Sequence, residues 1–209
     1  MTMLVLLGGT FDPIHLGHLE LAEIVHQRCG LSVPITLLPC NCSPLKFRSQ
    51  TNSKDRVNMI KLAIEGKFNL RVDDYELCIP PPSYTIDTII HFRALGYDPI
   101  LLIVGMDVFD SFDRWYRWQD IIEIATLIVT DRASFEKPAC NPALNRLLKN
   151  AKTVTHGNLI SRGIYRLNVP SLKISSSQIR DLVKLNNPID HLVPSRVAKF
   201  INDNCLYMV

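Results

Sequence analysis

Residues 8–18 read GGTFDPIHLGH, directly after the apolar run Met3-Leu4-Val5-Leu6-Leu7. An apolar segment of that length, stopped by two glycines, reads as a short buried strand. Gly8 and Gly9 have no Cβ, so a phosphate or ribose can approach the backbone there. Asp12-Pro13 is a turn pair in which Pro13 biases the preceding residue away from helix, and Asp12 reads as a turn-former more than a catalyst. From Leu16 onward the pattern is helical, with Leu21, Ala22, Val25 and Cys29 on one stripe. Strand, glycine turn and helix start, in that order, constrain the fold more than any other stretch.

His15 and His18 are three residues apart at the mouth of that helix, so their imidazoles share a face. The free N–H groups and the positive dipole end of the helix lie there too, and the combination suits a polyanion. A zinc site built with Cys40 and Cys42 is set aside. Structural zinc favours C-x2-4-C with H-x3-5-H, and H-x2-H with C-x-C misses both spacings.

The rest of the chain alternates strand and helix. Strands are expected at 33–38, 70–72 (continuing towards Leu77), 100–104, 126–130 and 165–169. Helices are expected from Lys54 to about Glu65 with Ser53 as cap, and over a stripe of Ile86, Ile89, Ile90 and Ala94 ended by Gly96. Others are expected at 119–125 and 141–150, and from about Ser176 and Ser195. This order implies an α/β fold: a Rossmann-like, doubly wound parallel sheet with helices on both faces and ligands at the carboxyl ends of its strands. GGT, Lys46, Gly105-Met106-Asp107 and the ISSS segment all fall at such ends. At 209 residues the chain suits one domain spanning 1–209, long enough to build a core without staples.

Composition excludes several classes. The net charge of +3 fits a small anionic ligand as well as a nucleic acid, but no basic, aromatic-laced stripe is present, so no nucleic-acid partner is expected. No basic segment precedes the first apolar run, which argues against a signal peptide, and Ile100 to Val104 is only strand-sized, so no membrane span is expected. Six cysteines without a C-x-x-C pattern point to free thiols in a reducing, cytoplasmic setting. The sequence leaves the oligomeric state open, a homo-oligomer included.

A second anion cradle lies near the end of the chain, where residues 174–180 read ISSSQIR. Ser175 or Ser176 can cap a helix and leave its amides free, and Arg180 follows Ser176 by one turn. Hydroxyls, amides and a guanidinium converging on one spot suit terminal phosphate oxygens. Alone, the pattern reads as a capped helix with a solvated arginine; beside a histidine cradle it gains weight.

Taken together, GGTFDPIHLGH, Pro44-x-Lys46, Arg56 with Met59, PSYTIDT (82–88), GMD (105–107), WYRW (115–118), ISSSQIR and the closing Val193-Pro194…Leu206-Tyr207 resemble the bacterial-type nicotinate-mononucleotide adenylyltransferases. These are nucleotidyltransferases with an H-x-G-H signature, and the resemblance covers nearly the whole chain. One departure stands out: Leu45 occupies a position where the family commonly has histidine.

The resemblance implies adenylyl transfer from ATP to nicotinate mononucleotide, with Mg²⁺ carried on the ATP phosphates. It implies His15, His18, Lys46 and Arg180 as the charge-neutralising set. It places ATP against Gly8, Gly9, Thr10, Phe11, Gly105, Asp107, Ile174, Ser175 and Ser176, besides the histidines and Arg180. The nicotinate ring is expected between Tyr84-Thr85 and Trp115-Tyr116, with backbone amides near Thr85 and Tyr116 receiving its carboxylate. Asp107 reads as a ribose contact or a helix cap, Arg132 as a nucleotide neighbour or a solvated loop residue, Trp118 as core, and Arg56 as a surface residue of its helix. Two rival substrates remain, nicotinamide mononucleotide and phosphopantetheine; the pantetheine enzymes typically carry Thr where His15 stands. Intact cradle residues argue against a catalytically silent nucleotide-binding regulator.

Overall fold

Along the first strand, β1 (Thr2–Gly9), Val5 and Leu7 belong to one buried cluster and Leu4 and Leu6 to another. A strand buried on both faces is the middle of a sheet covered by helices on each side. A computed structural model describes residues 2–41, 49–132, 141–155, 162–170 and 174–208, with the side chain of Arg132 outside that description. Within it β1 pairs in parallel with β2 (Ile35–Pro39) on one edge and β4 (Tyr97–Gly105) on the other, Leu7 lying opposite both Leu37 and Ile103.

Beyond β2 lies β3 (Leu70–Val72). Beyond β4 come β5 (Thr126–Arg132), β7 (Ile164–Val169) and the two-residue β6 (Lys152–Thr153), giving the all-parallel order β3-β2-β1-β4-β5-β7-β6. The chain winds outwards from β1 to β3, then returns to the centre and winds the other way from β4. The carboxyl ends of β1 and β4 are therefore the point where strand order reverses, the usual ligand crevice of an open α/β sheet.

Helices α1 (Leu16–Arg28), α2 (Ser53–Ile64), α8 (Ser176–Lys184) and α9 (Ser195–Asp203) cover the Val5–Leu7 face with Ala22, Val25, Met59, Ile60, Ile179 and Ile201. The other face is covered by α4 (Thr85–Ala94), the short α5 (Met106–Phe109), α6 (Trp118–Ile124) and α7 (Pro142–Lys149), through Ile86, Ile89, Phe109, Ile121 and Leu144. The doubly wound architecture expected from alternation is present.

Local differences have local causes. The strand expected to run on to Leu77 stops at Val72, because the Asp73 carboxylate accepts the Tyr75 N–H at 2.9 Å and turns the chain into the helical turn α3 (Tyr75–Cys78). Ile90 is 44% exposed, since Thr88 and Phe92 occupy the buried seam of α4 beside Ile86 and Ile89. The cap of α2 is Asn52 and not Ser53: its side-chain oxygen accepts the Asp55 N–H at 2.8 Å, and Ser53 is already helical. Asn52→Ala is accordingly expected to lower unfolding free energy by about 1 kcal/mol in urea titration, whereas Ser53→Ala should leave the midpoint nearly unmoved.

Candidate active site

At the reversal point a cleft of about 800 Å³ opens between β1, β4 and the start of α8. Gly8, Gly9, Thr10, Phe11, His15, His18, Gly105, Asp107, Ile174, Ser175, Ser176 and Arg180 all line it. A Cβ on Gly105 would lie 2.6 Å from an Asp107 carboxylate oxygen, so a larger residue there would turn the exposed Asp107 side chain aside. A Cβ on Gly8 would meet no atom within 4 Å. The space in front of Gly8 is open cleft.

The two imidazoles do share a face. Their rings stack at 3.7 Å with 23° between planes, and the edge of Phe11 meets His18 at 5.0 Å. His15 caps α1 from an extended conformation and is buried. Its backbone N–H donates to Nδ1 of His18 at 3.3 Å. That nitrogen therefore carries the lone pair, and Nε2 of His18 carries the proton and acts as the donor. The amides at this helix start are less free than the sequence suggests: Leu16 N–H donates to the Leu192 carbonyl at 2.9 Å and His18 N–H to the His15 carbonyl at 3.0 Å.

The C-terminal cradle joins the same turn. Ser175 caps α8 by accepting the Gln178 N–H at 3.2 Å. The Ser176 hydroxyl donates to the Pro13 carbonyl at 2.9 Å, so its hydrogen is committed to the protein and the open amides of the first turn remain as donors. Arg180 donates from Nη1 to the Asp12 carbonyl at 2.7 Å and from Nη2 to Ser177 Oγ at 3.1 Å. Segments more than 160 residues apart are thereby stitched together at Asp12-Pro13.

Sequence reasoning undervalued two side chains beneath this floor. Asp12 is 3% exposed, and its carboxylate accepts from Thr51 Oγ1 (2.6 Å), the Tyr207 hydroxyl (2.7 Å) and the Gln50 N–H (2.7 Å). Burial, and then the Asp12 charge, push the Tyr207 hydroxyl well above the usual phenol range, so it remains a donor. Arg56 is 0% exposed rather than a surface residue. Its Nη1 donates to the Thr10 and Cys40 carbonyls, both at 2.8 Å, tying the ends of β1 and β2 together. The signal was available: Arg56 stands three, four and seven residues before Met59, Ile60 and Ala63, on the buried seam of α2.

Behind Asp107 the site is acidic. Burial, then the neighbouring Asp107 and Asp131 charges, hold the Asp110 carboxyl above its usual range, and Arg166 pairs with Asp131. Among the described residues no three His, Cys, Asp or Glu side chains gather as a metal site, and Cys29, Cys78 and Cys205 are free thiols.

Tyr84, Thr85, Trp115 and Tyr116 form a separate patch outside the 800 Å³ cleft. The Tyr84 and Tyr116 rings meet at 4.7 Å, which brings the two segments together. Thr85 opens α4, Trp115 is half-buried on Phe112 at 5.0 Å, and Trp118 meets the same ring edge-on at 6.3 Å. Lys46 and Leu45 lie outside the described residues.

Residues 6–182 match the model of the cytidylyltransferase-like family. A Serratia proteamaculans protein named "Probable nicotinate-nucleotide adenylyltransferase" is 36% identical, the match spanning 97% of this chain and 94% of that one. A Hahella chejuensis protein of the same name is 32% identical over 98% and 95%. The chain belongs to the nicotinate-nucleotide adenylyltransferase family. A solved member from Plasmodium falciparum, nicotinic acid mononucleotide adenylyltransferase complexed with NaAD, has the same fold at a TM-score of 0.75 and 20% identity, over 99% of this chain and 98% of that one. Family membership makes the chain a nucleotidyltransferase. Among the described residues no helix is long and apolar enough to cross a membrane.

Proposed function

We propose that the protein transfers the adenylyl group of ATP to nicotinate mononucleotide in NAD biosynthesis, releasing pyrophosphate and nicotinate adenine dinucleotide. One observation carries the reading: the histidine pair and the serine–arginine helix, from opposite ends of the chain, converge on a single turn through Ser176–Pro13 and Arg180–Asp12. That convergence lines one cleft with both candidate anion-binding elements. The names of the relatives support the same reaction.

The nucleophile is the mononucleotide's phosphate, largely ionised at neutral pH because the second pKa of a phosphate monoester is about 6. No general base is required. A phosphate oxygen attacks the α-phosphorus in line, the bond to the bridging oxygen breaks, and pyrophosphate leaves with the electron pair. The protein positions the two phosphates and offsets the charge that develops on them. His18 supplies Nε2–H, with His15 stacked behind it. Arg180 and the amides of the first turn of α8 hold the leaving group, Asp107 holds a ribose, and Lys46 meets the mononucleotide phosphate. Mg²⁺ brought in with ATP would neutralise part of the phosphate charge. The pyridinium face gains about 0.5–2 kcal/mol from an aromatic partner in the Tyr84, Trp115, Tyr116 patch. The free cysteines agree with a cytoplasmic setting.

Pyrophosphate release measured with ATP and each of the two mononucleotides tests the proposal. Turnover with nicotinate mononucleotide clearly exceeding that with nicotinamide mononucleotide is the expected result. Preference for the amide would move the substrate assignment, and silence with both would remove the reaction.

A further inference from the structure

A buried acid bonded to residues on both sides of the start of α4 belongs to neither cradle. Glu76, on the short α3, is 6% exposed and has no cationic partner among the salt bridges of the described residues. Its two carboxylate oxygens accept from two hydroxyls, Ser83 Oγ at 3.0 Å and Thr88 Oγ1 at 2.8 Å. Burial raises its carboxyl above the usual range, and the two hydroxyl bonds oppose that rise.

The two hydroxyls stand on either side of one peptide. Ser83 precedes Tyr84, the cap of α4, and Thr88 lies one turn into the helix, its Oγ1 also 3.4 Å from the Tyr84 carbonyl. Tyr84 contributes no side-chain cap, and the carbonyl it presents accepts the Asp87 and Thr88 amides. The approach to this cap, Pro80-Pro81-Pro82, is exposed. Glu76 thus cross-links the exposed approach to the first helical turn, where little packing would otherwise hold the approach in place.

We infer that Glu76 is a positioning residue for substrate selection: by clamping Ser83 and Thr88 it fixes the direction of the Thr85 amide at the start of α4, and so sets discrimination between an acid and an amide on the pyridine ring. The inference rests on the proposed reaction, in which that patch receives the ring. Discrimination between two groups of one shape depends on donors that cannot turn to suit either. The clamp supplies that rigidity from behind, without touching the ligand.

The test is steady-state pyrophosphate release by the full chain with Glu76→Leu, Glu76→Gln and the double variant Ser83→Ala/Thr88→Val, which removes the same bonds while keeping the carboxylate. Each variant is checked for a cooperative melt. The KM for nicotinate mononucleotide is expected to rise about tenfold in Glu76→Leu and in the double variant. The KM for ATP should stay within about twofold, as for a change confined to the second patch. The preference for nicotinate over nicotinamide mononucleotide should shrink in the same two proteins. Gln, able to accept one hydroxyl and donate to the other, is expected to recover most of both. Unchanged preference, or KM values for ATP and mononucleotide that rise together, overturns the inference, and the double variant decides if Glu76→Leu does not fold. A wild-type protein that releases no pyrophosphate would count against the reaction as well.

Discussion

His18→Ala is expected to lower turnover about 100-fold or more while the protein still folds, the size of loss seen when one preorganised donor to a developing charge is removed. His15 N–H occupies Nδ1 of His18, which commits the proton to Nε2 and fixes the ring's tautomer before substrate arrives. Stacking on His15 and edge contact with Phe11 fix the ring's plane. A donor held on two sides by packing and on one edge by the backbone costs no reorganisation when charge moves onto the leaving oxygens. The folded state depends on His18 far less: the ring is only half-buried, and the His15 amide it leaves behind can turn to water. Measured with both substrates saturating, the loss should fall on kcat more than on either KM. His18→Gln, whose amide N–H reaches a similar position, should recover part of it. Near-normal turnover in the alanine variant would remove the imidazole from catalysis.

What the sequence disclosed, and what it hid, follows from the range over which each feature acts. The βα opening, the glycine turn and the imidazole pair are contained in eleven consecutive residues, so their pattern is visible locally. Sheet topology followed from alternation, because a parallel sheet needs a crossover between its strands. The strand β6 has two residues and no period to detect, and α3 is a single turn set by Asp73. Asp12 looked like a turn residue because its partners Thr51, Arg180 and Tyr207 are 39, 168 and 195 positions away. Charge misled the reading of Arg56, which sits on an apolar seam but was judged by its guanidinium. Glu76 carried no signal, since two hydroxyls and not a cation satisfy it.

The largest stability effect belongs to Asp12. Asp12→Ala is expected to lower unfolding free energy by about 3 kcal/mol or more, because it orphans two buried hydroxyls at about 1–3 kcal/mol each and leaves a void under the Asp12-Pro13 turn. Thr51 and Tyr207 are the two, both under a tenth exposed, whereas the Gln50 amide sits where water can replace the carboxylate. Asp12→Asn should recover part of the loss, since the amide oxygen still accepts while the amide nitrogen faces donors. Tyr207→Phe removes a single bond to a charged acceptor and is expected to cost about 1.5–3 kcal/mol. Arg180 keeps its partner in all of these proteins, because that partner is the Asp12 main-chain carbonyl. ATP binding should therefore suffer less than stability does. Urea midpoints for both single variants and the double complete a cycle whose outcome is specific. Since Tyr207 donates to the carboxylate that Asp12→Ala deletes, adding Tyr207→Phe to it should cost little further. Additive losses would mean that Tyr207 stabilises the fold through some contact other than Asp12, and Tyr207 would then have no direct hold on the Asp12-Pro13 turn.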